Sequence, residues 1–110
     1  MPRAEAARFD PAPVFAALGD PTRLALLTRL SDGQPRSIAG LAADSHLTRQ
    51  ALTKHLRVLE GAGLVGSERS GRETRFAYRP EPVQDARAYL DRVSAQWDDA
   101  LGRLKSFVEG

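Results

Sequence analysis

A chain of 110 residues with a 42% apolar share fits one globular domain, or one subunit that completes its core by pairing. It has no apolar run approaching the roughly 18 residues of a membrane span, and its zero cysteines exclude disulfides, thiolate metal sites and thiol redox sensing together. The net charge of +2 is too small to suggest a nucleic-acid partner by itself, so the distribution of charge has to be read along the chain. Residues 1–9 read as a frayed tail. They lack an apolar signal core and carry Glu5 beside Arg3 and Arg8, so secretion is not expected and a cytoplasmic location is.

Asp10-Pro11 is a helix-start signal, because Asp caps and Pro fits the first turn, where its missing N–H would be orphaned anyway. Val14, Phe15 and Leu18 make that helix apolar on one side before Gly19. Asp20-Pro21 repeats the signal. Leu24, Leu27 and Leu30 then recur every three residues, widened by Leu26, until Ser31-Asp32-Gly33. A third helix is expected from near Ser37, with Ile38, Leu41 and Ala42 inward, and a break at Asp44-Ser45-His46. The fourth opens on Thr48 as N-cap. Leu47 and Leu52 form a hydrophobic staple, Leu52, Leu56 and Leu59 a buried stripe, and Gly61 and Gly63 a close. Leu64-Val65 starts a strand. Thr74, Phe76 and Tyr78 alternate with Arg75, Ala77 and Arg79, and Ser70-Gly71 supplies the turn of a hairpin.

Helix, turn, helix and basic hairpin together make a winged helix-turn-helix, mainly α with a small β-hairpin in the order ααααββα. Residues 10–80 form the DNA-binding domain in this reading. From Thr48 to Arg79 seven basic residues face three acidic ones, whereas from Pro80 to Gly110 four face six. The first segment is suited to meet phosphate and the second is not.

The major groove admits one helix and distinguishes all four base pairs, so a reading helix needs long or hydrogen-bonding side chains near its N-terminus. With Leu52 at the centre of the buried face, Gln50, Thr53, Lys54 and Arg57 fall on the far side and Arg49 at the edge of the first turn. Gln50 suits adenine, Arg49 or Lys54 guanine, and Thr53 a base edge or a thymine methyl. Arg57, one turn deeper, is expected at phosphate. His55 lies beside the buried stripe, with a phosphate, a neighbouring carbonyl or simple packing as alternatives. Arg69, Arg72 and Arg75 are the wing candidates, Arg72 foremost at the turn. Arg69 and Arg75 are expected to share one outward parity, with Glu68 or Glu73 as alternative partners for Arg75.

Pro80-Glu81-Pro82 separates the wing from one long helix, expected over 82–108 and about 40 Å long, which with the residues around it, 81–110, forms a dimerisation element. Leu90, Val93, Trp97, Ala100, Leu104 and Phe107 follow 3–4–3–4–3 spacing, with Leu101 and Val108 beside them. That is a coiled-coil-like seam, too long to be covered by so small a domain. A second copy is the expected cover, making a homodimer through the terminal helices with Val14 and Phe15 contributing. Packing on the first helix is the alternative.

The run Val14-Phe15-Ala16-Ala17-Leu18-Gly19-Asp20-Pro21-Thr22-Arg23-Leu24 resembles the opening of the ArsR/SmtB family of bacterial winged-helix repressors, and the run from Leu47 to Val65 resembles that family's reading unit. The likeness covers about residues 12–80. It implies a dimeric repressor whose reading-helix contacts fall at Thr48, Arg49, Gln50, Thr53, Lys54 and His55. Metal sensors of the family carry cysteines in the helix matching Ile38–Ala43, or Asp and His ligands across the last helix. This chain has no cysteine, and His46 and His55 are its only histidines. The resemblance is therefore to a metal-blind branch, with no cofactor and an unidentified inducer.

An enzymatic reading finds no Gly-rich phosphate loop, Cys/His cluster or nucleophile elbow. Asp98-Asp99 point about 100° apart on a helix and do not converge. Two other readings remain beside the operator-binding repressor. One is a small-molecule-responsive repressor with a pocket between the long helices near Tyr89 and Trp97. The other is a winged-helix protein-interaction module.

Overall fold

A computed structural model of the chain describes residues 9–110. Among these residues are five helices and three strands: α1 (Ala12–Leu18), α2 (Pro21–Leu30), β1 (Arg36–Ser37), α3 (Ile38–Ala43), α4 (Arg49–Gly61), β2 (Val65–Ser70), β3 (Glu73–Tyr78) and α5 (Glu81–Glu109). The expected tail over residues 1–9 lies outside the described residues except at Phe9, which packs against the core rather than fraying.

The helix starts follow from local hydrogen bonding. The Asp10 carboxylate accepts from the Ala12 N–H at 3.0 Å, and Asp20 accepts from the Arg23 N–H at 3.0 Å. Ser37 caps α3 through the Gly40 N–H, and Thr48 caps α4 through the Ala51 N–H, each at 3.0 Å. These four acceptors satisfy N–H groups that have no partner inside the helix. Arg23 also reaches back to the end of α1, donating to the carbonyls of Ala17 at 2.7 Å and Ala16 at 3.2 Å. At the end of α4, Gly63 takes φ +77°, and the Leu64 N–H returns to the Leu59 carbonyl at 3.0 Å. Gly61 stays inside the helix, so the closure belongs to Gly63 alone.

The core is one cluster. Leu26, Leu27 and Leu30 of α2, Leu41 of α3, and Leu52, Leu56 and Leu59 of α4 meet Leu64, Val65 and Phe76 from the wing side. Leu24 departs from the expected stripe and is about half exposed. Three-residue spacing drifts around a 3.6-residue helix, so Leu26 rather than Leu24 shares the inward side with Leu27 and Leu30. The sheet has three strands in the order β1-β3-β2, all antiparallel, rather than a two-stranded hairpin. The added strand pairs Arg36 with Phe76 and Ser37 with Arg75.

The 29 residues of α5 span about 43 Å. Its start is seated by Val83 and Ala86, and Tyr89 meets Phe15 of α1 with ring centres 6.2 Å apart. Beyond that it projects. The radius of gyration is 18.7 Å, against about 13 Å for a compact chain of this length.

Candidate nucleic-acid interface

The first two turns of α4 present Arg49, Gln50 and Lys54 to solvent, behind the exposed cap Thr48. Their exposure follows from the burial of Leu52, Leu56 and Leu59, which fixes the rotation of the helix about its axis. Thr53 is half-buried and its hydroxyl donates to the Arg49 carbonyl at 2.7 Å, which leaves its methyl and lone pairs for a partner. The turn before α4 is held by Arg29 of α2. That guanidinium meets the Asp44 carboxylate at 2.6 Å and the Leu41 carbonyl at 3.2 Å. Sequence reading missed this tie, because the partners lie 15 residues apart and carry no local signal.

Two expected DNA contacts have partners within the protein, His55 partly buried and Arg57 exposed. His55 is half-buried, with Nδ1 3.9 Å from Asp20 Oδ2, so it faces the cap of α2. Asp20 itself is held below the usual carboxylate range, first by the Arg23 N–H and then by the charges of Arg23 and His55. Arg57 pairs with Glu60 at 2.7 Å, and its guanidinium stands 5.4 Å from the centre of the Phe76 ring. A cation over an aromatic face is held electrostatically, so Arg57 is directed at the sheet.

The wing turns through Gly71-Arg72, between the paired Ser70 and Glu73. Gly71 has φ +64° and no other residue of the turn is in that region, which is the pattern of a type II′ turn with glycine first. The turn is therefore one residue later than Ser70-Gly71. Arg72 stands exposed at the tip. Arg69 pairs with Thr74 and Glu68 with Arg75, and paired residues share a face. Arg69 and Arg75 consequently lie on opposite faces, which corrects the expectation of a common one. Equal numerical parity implies a common face along one strand, but across a hairpin the register decides. Arg75 meets Glu73 at 3.3 Å, resolving that alternative.

The seam of α5 is uncovered. Leu90, Trp97, Leu101, Leu104, Phe107 and Val108 are all at least half exposed, and Val93 is partly covered. Phe15 borders this face, but Val14 does not. At 2% exposure Val14 belongs to the protomer's own core and is removed from the expected interface. Val14 and Phe15 are about 100° apart on α1, so only one of them can face outward. Among the described residues, no three His, Asp or Glu side chains converge as a metal-binding group, and no helix is long and apolar enough to cross a membrane.

A helix-turn-helix domain model matches residues 18–68, from the end of α1 to the middle of β2. The chain is 40% identical over 78 residues to the HTH-type transcriptional regulator YuzN of Bacillus subtilis, covering 66% of this chain and 85% of that one. It superposes on an ArsR-like transcriptional regulator from Rhodococcus sp. RHA1 with a TM-score of 0.79 at 39% identity, over 88% of this chain and 91% of that one. The chain belongs to the ArsR/SmtB family. A further similar structure is the homodimeric winged helix-turn-helix DNA-binding domain of Mb0332 from Mycobacterium bovis, with a TM-score of 0.61 at 26% identity over 77% of this chain and 78% of that one. In this winged helix-turn-helix chain, α3 and α4 are the helix-turn-helix and the β2–β3 hairpin is the wing.

Proposed function

We propose that this ArsR/SmtB regulator is a homodimeric, sequence-specific repressor of an inverted-repeat operator, acting in the cytoplasm as a binding protein and not an enzyme. One observation carries the reading: the exposed set Arg49, Gln50 and Lys54 on the first two turns of a helix whose rotation the core fixes. Side chains so placed reach base edges when the helix enters the major groove. Thr48 and Thr53 flank them, and Arg69 and Arg72 add positive charge for phosphate or the minor groove. His55 and Arg57 act as packing groups in this reading, and Arg75 stays with Glu73.

Residues 10–80 form the DNA-binding unit and 81–110 the dimerisation helix. The uncovered seam supports pairing, since a stripe with Trp97, Leu104 and Phe107 at 63%, 57% and 86% exposure is costly to leave in water. The homodimeric state of Mb0332's domain points the same way. The absence of thiols and of an α5 histidine supports a metal-blind regulator.

Selection from a randomised duplex pool tests this, followed by affinity measurements over a series of salt concentrations. The expected product is a two-fold symmetric sequence, bound with a steep loss of affinity as salt rises. Binding that is weak, salt-insensitive and indifferent to sequence would overturn the reading and favour a protein-interaction module.

A further inference from the structure

The Glu60 carboxylate sits where three parts of the protein meet. It lies in the last turn of α4. Its Oε2 accepts a hydrogen bond from Ser67 Oγ of β2 at 2.6 Å, and its Oε1 accepts from Arg57 Nη1 at 2.7 Å. Ser67 stands opposite Phe76 in the ladder, and Arg57 lies over the Phe76 ring. The third side is Arg79, the residue that leaves β3 for α5. Its guanidinium crosses Gly66 so closely that a Cβ there would collide with it, and its charge is felt at Glu60. The Ser67 hydroxyl first, and Arg57 second, hold the Glu60 carboxyl below its ordinary range, so it stays ionised around neutral pH.

The backbone between α4 and the wing is short and turns at Gly63, whose φ of +77° is the one left-handed residue of the link. Apolar burial of Leu59, Leu64 and Val65 holds the two together but is non-directional. Hydrogen bonds to an ionised carboxylate are short and directional, so they set an angle that apolar contact leaves soft. We propose that Glu60 is a positioning residue that fixes the wing against the reading helix, so that α4 and Arg72 engage one duplex together. It also keeps Arg57 on the protein rather than on phosphate. This assignment rests on the DNA-binding reading above.

The test uses the full chain and the tightest duplex selected from a randomised pool, in a double-mutant cycle with the wing tip. Glu60→Ala removes both contacts of the carboxylate, and Ser67→Ala removes the strand contact while leaving the Glu60–Arg57 pair. Each should weaken duplex binding about three- to tenfold in the wild-type background. In an Arg72→Ala background each loss should shrink below about twofold, because the wing contact that Glu60 positions is already gone. Arg57→Gln should leave the log–log salt slope unchanged, whereas Arg72→Ala should reduce it by about one. A purely structural role moves thermal stability and affinity alike in both backgrounds. Losses that persist in full beside Arg72→Ala, or no loss at all, overturn the proposal while leaving DNA binding intact. Failure of the wild-type chain to bind any duplex with salt dependence removes the DNA reading and the positioning role with it.

Discussion

Leu104→Asp should break the dimer, and its effect can be sized from the exposure of the seam. Complete burial of a leucine side chain is worth about 1.5–3 kcal/mol. In the protomer Leu104 is still 57% exposed, so a partner can cover at most that share, or about 1–1.7 kcal/mol. A symmetric interface makes each contact twice, which brings the loss to about 2–3 kcal/mol per dimer. That corresponds to a roughly 30- to 150-fold weaker association before any cost of burying the new carboxylates, which adds to it. Two reading helices must sit about 34 Å apart to grip one palindrome, so a monomer keeps one half-site and loses most of its affinity. Sedimentation velocity at micromolar protein, paired with operator titration, reads both effects. Exposed positions on the opposite side of α5, such as Ala95 or Ser106, provide controls for added charge. A Leu104→Asp protein that sediments as a dimer and binds as the wild type does would refute the seam as the interface. It would also remove the basis for an inverted-repeat operator.

Gln50→Ala should cost about 1–3 kcal/mol on the selected operator and relax one base position, which a competition assay across single-base variants checks. Zinc or arsenite at micromolar concentration should not release the operator complex, because the chain has no thiol and its two histidines lie in and before α4; chelator-reversible release would contradict this. Asp32 is held down to about 2, first by hydrogen bonding to Arg36 and then by the Gln34 N–H. Its folded value lies below the unfolded one, so its contribution is complete above about pH 4 and is lost as pH falls towards 2. Asp32→Asn should therefore flatten the loss of stability over that interval in denaturant titrations, and an unchanged acid limb would argue that the pair is absent in solution.

Signals carried within one turn of helix were legible in the sequence. Asp20, Ser37 and Thr48 cap as their spacing requires, because a cap joins residues three apart and needs nothing from the rest of the fold. The 3.6-residue periodicity of Leu52, Leu56 and Leu59 likewise fixed which side of α4 remains for Arg49, Gln50 and Lys54. The unpartnered seam of α5 was equally plain, since an apolar stripe about 40 Å long outruns any cover that a domain this small supplies. Only the tertiary structure decided what depends on residues far apart in the chain. The pairing of Arg36 with Phe76, the opposite faces of Arg69 and Arg75, and the Arg29–Asp44 tie are matters of register and approach, which no local pattern encodes. The same holds for His55 and Arg57. Each sits on a helix whose rotation the sequence fixes, yet each has a long or pivoting side chain whose direction is chosen by what lies within reach. Asp20 from another helix draws in one, and Glu60 with the Phe76 ring draws in the other.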